Sequence, residues 1–338
     1  MRHGRPFLRV AYSLHHHVDY RQHRIGSIDV VAAKEVPMMM NQNTASAGQL
    51  DMLAGDVGTQ VRGTVSAGNV PLLADYDCLL VSISAGKDSQ ASLDVVVEAA
   101  RSAGVLGRVV AVHADLGDAE WDGVAELAAE HAAHYGLRFE LVRRERDGDV
   151  DTILDRVAQR GMWPDSRNRW CTSDHKRGPI RTVMTRLVAE LRASGTVTDR
   201  PVRLLNVMGL RGEESAARSR RPAYAANHAA SNGRRLVDDW YPIHQWTVAE
   251  VWQRIAAAGT RPHPAYAAGM TRLSCRFCVL ASRADLVRSA QLNPELAARY
   301  AAVEAAVGHR FQAKLSMAQI IAEARGEVSA DDSQLTLI

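Results

Sequence analysis

The sequence predicts an α/β fold: a parallel sheet flanked by helices, with a mainly helical C-terminal extension. Three observations carry that prediction. From Tyr76 onward, short apolar and β-branched runs alternate with stretches of helical periodicity, the pattern of strand–helix–strand units with right-handed crossovers. One run, Leu79-Leu80-Val81-Ser82-Ile83, breaks into small and polar residues, and a helical pattern starts directly behind it. The stretch after Cys278, to about Arg325, is Ala-rich and mostly helical in pattern.

Taken in order, residues 1–70 read as a poorly ordered arm or linker. This stretch is rich in Arg and His, with His15, His16 and His17 in a row, and later holds Met38, Met39 and Met40. A metal-binding histidine tract is one reading; a solvated or vector-like segment, with translation starting at one of these methionines, is the other. One short helix is expected near 49–53. A strand over 78–84 then leads into a helix over 89–103, and a strand over 109–113 runs into Asp115-Leu116-Gly117. Next come a helix through Trp121, Val124, Leu127, Ala128 and His131, a strand over 139–142, and helices over 151–159 and 179–193. A strand over 203–208 ends at Gly209-Leu210-Arg211, and a Gly/Asn/Arg-rich loop connects it to Trp240. Thr247 has the N-cap position of a helix over 248–258, with Glu250 spaced for a capping box. The division expected is 1–70, 71–260 and 261–338.

Composition narrows the class. The chain has 338 residues, 46% hydrophobic and 23% charged, which are globular values for one large or two small domains. No apolar run approaches the ~20 residues of a membrane span, and no signal peptide is expected. Four cysteines in a chain of this length do not make a disulfide framework, so a reducing, cytoplasmic setting is expected. The net charge of +3 identifies no partner. Its distribution says more: Arg143, Arg144, Arg146, Arg167, Arg169, Lys176, Arg177, Arg181, Arg218, Arg220, Arg221, Arg234 and Arg235 crowd one part of the chain. A basic rim around a cleft suits a polyanion, whereas scattered solubilising charge is the simpler account. Trp163, Trp170 and Trp246 are expected to pack in the interior rather than stack bases.

The chemistry centres on Ser84-Ala85-Gly86-Lys87-Asp88-Ser89. A strand-to-helix turn gathers unpaired N–H groups at the positive end of a helix dipole, where a phosphate binds. Gly86 permits close backbone approach, and the hydroxyls of Ser84 and Ser89 add donors. An ordinary βα turn is the plain alternative, and the spacing does not fit a G-x-x-x-x-G-K-[ST] loop. Ligands of parallel sheets sit beyond the carboxyl ends of the strands, so this loop and the Asp115 turn should share a cleft. Cys275-x-x-Cys278 on its own is ambiguous among a redox pair, a metal site and coincidence.

The 84–89 loop resembles the S-x-G-x-D-S loop of the PP-loop ATP pyrophosphatases, of adenine nucleotide alpha hydrolase-like fold. Further stations resemble one branch of that group: Asp115–Gly117, Trp170-Cys171 with Lys176 and Pro179, Gly209-Leu210-Arg211 with Glu214, Ser215 and Arg218, and Pro242-Ile243 with Trp246-Thr247 and Val251-Trp252. The last is His263-Pro264 with Gly269 and the Cys275/Cys278 pair. The branch holds the phosphoadenylylsulfate (PAPS) reductases and the ATP pyrophosphatase of DNA phosphorothioation (Dnd- or Ssp-type), and the resemblance covers about 76–285.

The resemblance implies that ATP with Mg²⁺ is split between its α- and β-phosphates, leaving AMP on a substrate. It places Ser84, Ala85, Gly86, Lys87, Asp88, Ser89, Asp115, Gly209 and Glu214 at the nucleotide, with Asp115 otherwise a helix cap. Lys87, Asp88, Arg211 and Arg218 are the catalytic candidates, the cations stabilising charge during transfer. A sulfonucleotide reductase needs a thiolate near its C-terminus, and no cysteine follows Cys278, the tail 328–338 included. The expected activity is therefore adenylation of a nucleic acid, DNA ahead of tRNA, for sulfur incorporation with a cysteine desulfurase as donor. A PAPS or adenylylsulfate reductase, a tRNA thiolation enzyme and a non-catalytic nucleotide-binding module are the alternatives; homo-oligomerisation is left open. The family also places Cys171 near Cys275 and Cys278, which implies a [4Fe–4S] cluster with three cysteine ligands and an open fourth position. Zinc or three thiols are the alternatives, and Cys78 reads as core.

Overall fold

The computed structural model describes residues 71–327. The histidine run, the helix expected near 49–53 and the tail 328–338 lie outside the described residues. Strand β1 (Cys78–Ser82) feeds α1 (Lys87–Ser102), β2 (Val109–Asp115) feeds α2 (Val124–His134), and β3 (Arg138–Arg143) comes next. A short hairpin, β4 (Glu145–Arg146) and β5 (Asp149–Val150), precedes α3 (Ile153–Arg160), the single turn α4 (Trp170–Thr172) and α5 (Gly178–Ala193). Then come β6 (Val202–Met208), the short α6 (Ala216–Ser219), β7 (Tyr224–Ala226), β8 (Arg235–Trp240) and α7 (Val248–Ala258). Helices α8 (Arg283–Leu292), α9 (Pro294–Val307) and α10 (Met317–Ala324) complete the described chain.

Six strands form one sheet in the order β3-β2-β1-β6-β8-β7, parallel except for the edge pair β7–β8. The central strand reads as an unbroken apolar run because it is covered on both faces. Leu79 and Val81 face α1 and α2, whereas Leu80 faces Val183, Leu187 and Val188 of α5, and all three strand residues are fully buried. Register sets Leu79 opposite Val109 of β2 and Leu205 of β6. A third apolar cluster gathers Trp163, Trp170, Phe277, Tyr300 and Phe311 with the last three helices. Trp163, Trp170 and Trp246 are all buried, as expected, so their rings pack inside rather than waiting for bases.

The predicted elements hold with their ends moved by a few residues. The capping box expected at Thr247 is formed: the Thr247 hydroxyl accepts the Glu250 N–H at 3.3 Å, and the Glu250 carboxylate accepts the Thr247 N–H at 2.6 Å. The Gly/Asn/Arg-rich loop expected before Trp240 is corrected, because its last part is strand β8. Polar residues disguise that strand, and each has a hydrogen-bond partner. The Arg235 guanidinium donates to the Ala230 carbonyl at 2.9 Å, and Asp239 accepts from Asn206 at 2.7 Å and Asn227 at 2.9 Å.

Two local distortions shape the carboxyl edge of the sheet. Between β1 and α1 the chain turns through Ala85, fully buried at φ 52°, a left-handed conformation that L residues other than Asn and Asp seldom adopt. Between α4 and α5, residues Ser173–Arg177 form one π-helical turn, the kind of bulge that frequently marks a functional site.

Candidate functional site

Beyond the carboxyl ends of β1, β2 and β6 opens a cleft of about 610 Å³. Ser84, Gly86, Lys87, Asp88 and Ser89 line one side, Gly209, Arg211, Glu214 and Arg218 another, and His113, Glu120, Lys176, Tyr266 and Arg272 the rest. The loop and the Gly209–Arg218 stretch thus meet.

The loop is held by its own hydroxyls. The Ser84 N–H donates to the Ser89 hydroxyl oxygen at 3.1 Å, while that hydroxyl donates to the Gly86 carbonyl at 2.9 Å. Gly209 is needed for packing: a Cβ there would lie 2.5 Å from the Asp88 carbonyl oxygen and 2.8 Å from the Ser89 Cα. The end of β6 therefore presses directly on the start of α1.

Three of the four catalytic candidates form one cluster. Asp88 takes the Lys87 ammonium on one carboxylate oxygen at 2.7 Å and the Arg211 guanidinium on the other at 2.6 Å. Arg211 is only 4% exposed and also donates to the Trp246 carbonyl at 3.3 Å and to Glu213, so it braces the loop from behind. Arg218, the fourth candidate, is paired with Glu214. Burial lowers the Arg218 pKa, and the neighbouring Arg169 and Arg272 add to that. Arg169, Lys176 and Arg272 have no ion-pair partner among the described residues, so the cleft carries an excess of positive charge suited to an anion.

Asp115, expected to share the cleft, does not, because the lining of β2 ends at Ala114; Asp115 instead uses a carboxylate oxygen to accept the Gly117 N–H at 2.7 Å, the local turn-capping role. Sequence reasoning missed its neighbour His113. The His113 Nδ1 donates to the Ile83 carbonyl at 2.9 Å, and Nε2 faces Glu120 at 3.0 Å. Burial opposes the imidazolium, but the Glu120 carboxylate outweighs it and raises the His113 pKa. The apolar surroundings of β2 gave no hint of that pair. Tyr266 and Arg272 were missed because the segment carrying them is far away in sequence. This segment is strapped down by Thr271, whose N–H donates to the buried Asp285 at 3.0 Å, and by the Arg276 N–H, which donates to the Ala119 carbonyl at 2.8 Å. Of the basic residues between 143 and 235, Arg144 is neutralised by Asp151 at 2.5 Å and Arg235 is buried, while Arg167, Arg169, Arg177, Arg220, Arg221 and Arg234 remain exposed.

Cys171 and Cys275 pack against the same apolar cluster, and burial raises both thiol pKa values, with Cys278 adding to each. The Lys176 ammonium, which lines the cleft, opposes those shifts. Among the described residues no three His, Cys, Asp or Glu side chains are spaced to hold a metal ion. The cysteines therefore do not form a ligand set at the described positions, and a cluster would require them to close up. Cys78 is buried in the opposite core, as expected. The same spacing result applies to Mg²⁺, which commonly relies on substrate phosphates for much of its coordination. No helix among the described residues is long and apolar enough to cross a membrane.

Several known proteins are similar to this chain. An uncharacterized 37.8 kDa protein from the gpa 5′ region of Escherichia phage 186 is 25% identical over 149 residues, 44% of this chain and 41% of that protein. The match thus spans less than half the length of that curated relative. A PAPS reductase from Candida auris, solved as a phosphate complex, is 16% identical with a TM-score of 0.39 over 60% of this chain and 83% of that one. The FMN adenylyltransferase of Candida glabrata, with FMN and the ATP analogue AMPCPP, is 13% identical with a TM-score of 0.39 over 60% and 58%. The U34-tRNA thiolase of Methanococcus maripaludis, with its [4Fe-4S] cluster, is 12% identical with a TM-score of 0.36 over 76% and 75%. Residues 78–281 match the sequence model of the phosphoadenosine phosphosulfate reductase domain, and that span includes the loop, the Gly209–Arg218 stretch and Cys171, Cys275 and Cys278. The chain belongs to the phosphoadenosine phosphosulfate reductase domain family.

Proposed function

We propose that this protein is an ATP pyrophosphatase that adenylates an oxygen of a nucleic acid, a DNA phosphate ahead of tRNA, so that sulfur can replace it. The observation that carries the reading is the cleft itself: a helix N-terminus with Ser84 and Ser89 faces Lys176, Arg218 and Arg272, an anion site of nucleotide size. Transfer at a phosphate asks for positioning and charge neutralisation more than for covalent chemistry. In this reading Ser84, Gly86 and Ser89 cradle the phosphates, and Lys87, Asp88 and Arg211 keep the loop in shape. Arg218, Lys176 and Arg272 neutralise the charge that develops on pyrophosphate as it leaves, with Mg²⁺ arriving on the nucleotide. The exposed Arg167, Arg169, Arg220 and Arg221 support a polyanionic acceptor.

Incubation with ATP, Mg²⁺ and duplex DNA tests this, with AMP transfer and pyrophosphate release expected together. Thioredoxin-dependent release of sulfite from a sulfonucleotide would instead identify a reductase. Transfer to tRNA alone would identify a tRNA-modifying enzyme. A cysteine desulfurase is the proposed sulfur donor, tested by labelled sulfur reaching the nucleic acid only when both proteins are present. Iron and sulfide analysis after anaerobic purification tests the cluster that the family resemblance implies; about four irons per chain, lost in Cys171→Ser, would support ligation by Cys171 with Cys275 and Cys278.

A further inference from the structure

The hydroxyl oxygen of Tyr266 accepts from the backbone beside it, and its hydrogen has no acceptor among the described residues. Its oxygen accepts the Lys87 backbone N–H at 2.9 Å, so the first amide of α1 is already taken by a neutral group. The ring is fixed edge-on against Trp252, with centroids 5.0 Å apart at 86°. Its backbone is fixed as well: the Tyr266 N–H donates to the His263 carbonyl at 3.2 Å, and the His263 ring faces the Asp122 carbonyl at 3.0 Å. Burial pushes the phenol up to about 12, so the hydroxyl keeps its hydrogen at neutral pH. A hydroxyl oxygen that accepts an amide still has that hydrogen to donate. No acceptor takes it among the described residues, and Tyr266 lines the cleft beside Lys87, Asp88 and Arg272.

Resting on the nucleotide reading of the cleft, we propose that Tyr266 is a phosphate-contacting residue: its hydroxyl hydrogen binds an oxygen of the phosphate chain while its oxygen keeps the Lys87 amide. The hydroxyl thereby passes the polarity of the helix N-terminus to the anion by way of one intervening atom. The contact is to phosphate and not to the nucleoside, so it distinguishes ligands by their anionic part.

Tyr266→Phe keeps the ring on Trp252 and removes only the hydroxyl. Calorimetric titration of wild type and variant with ATP, inorganic pyrophosphate and adenosine reads the effect. The expected result is about a tenfold weaker affinity for ATP and pyrophosphate, the size of a hydrogen bond to a charged group, with adenosine unchanged. Thermal unfolding gives a second reading, in which ATP raises the Tm of the variant less than that of wild type while adenosine raises both alike. Equal losses for ATP and adenosine, or an unchanged ATP affinity, overturn the assignment of Tyr266 and leave the nucleotide reading standing. Wild-type protein that binds neither ATP nor pyrophosphate overturns both.

Discussion

At the amino ends of the strands a cleft of about 910 Å³ opens between Asp75, Asp77, Arg108, Arg138, Arg200 and Arg203, while the carboxyl ends overlook the cleft of about 610 Å³. In the larger one the arginines are satisfied. Arg200 makes two bonds to Asp77 at 2.7 and 2.8 Å, Arg203 reaches Asp75 at 3.3 Å, and Arg138 holds Glu190 at 2.6 Å. Arg108 donates to the Tyr76 carbonyl at 2.8 Å. In the smaller one Lys176 and Arg272 are unmatched among the described residues, and the Ser84–Ser89 turn brings a helix N-terminus to the same space. Size therefore does not set the proposed nucleotide cleft apart from the other; unmatched charge does.

The largest effect expected is from Asp88→Ala. It leaves the buried Arg211 without its best partner, and a broken buried pair costs on the order of 3 kcal/mol. Chemical denaturation should show that loss together with abolished nucleotide binding; unchanged stability would mean that Asp88 serves only the ligand. Acid comes next. Burial lowers the His175 pKa to about 4, so His175 contributes stability above its unfolded value near 6.5 that is lost as pH falls toward 4. Stability should drop by about 1.4 kcal/mol per pH unit through that window, read from denaturation midpoints, and His175→Gln should flatten the slope. His131 and His263, also lowered by burial, act in the same direction.

Arg272→Ala should weaken ATP binding about tenfold and flatten its salt dependence, with little change in unfolding. An effect on unfolding as large as that of Asp88→Ala would erase the distinction between the two arginine roles. The smallest effect is expected at the other end of the sheet. Arg200 is half exposed, so Arg200→Ala should cost less than about 1 kcal/mol and leave nucleotide affinity unchanged. A tenfold loss of affinity there would break the contrast between the two clefts.

Much of the fold is legible in the sequence where the signal is local. The change of period at Ser84, the Thr247–Glu250 box and the alternation of strands with helices each depend on residues a few positions apart. The Gly209–Arg218 stretch was marked by family pattern alone, and its meeting with the 84–89 loop is seen only in the fold. What stayed hidden is contributed from afar or masked by polarity. Strand β8 carries Arg235, Asp238 and Asp239, whose partners come from other segments, so its pattern does not read as a strand. Tyr266 and Arg272 reach the cleft on a segment more than 170 residues beyond Ser84; the resemblance marks His263-Pro264 and Gly269 around them but singles out neither side chain. The position of Cys171 relative to Cys275 and Cys278 depends on packing against Tyr300 and its neighbours, which periodicity does not encode.

Ala85 has a consequence for how readily the loop can be occupied. A glycine at its left-handed φ would be comfortable but would leave the turn many alternative shapes to sample before a ligand arrived. Alanine is held there against a local cost of about 1–2 kcal/mol by complete burial within the main apolar cluster. The ordering of the turn at Ala85 is thus completed during folding, and under the proposed function an incoming phosphate would meet a turn whose shape was settled before encounter. Association at this loop should accordingly be limited by diffusion and charge steering rather than by rearrangement of the backbone.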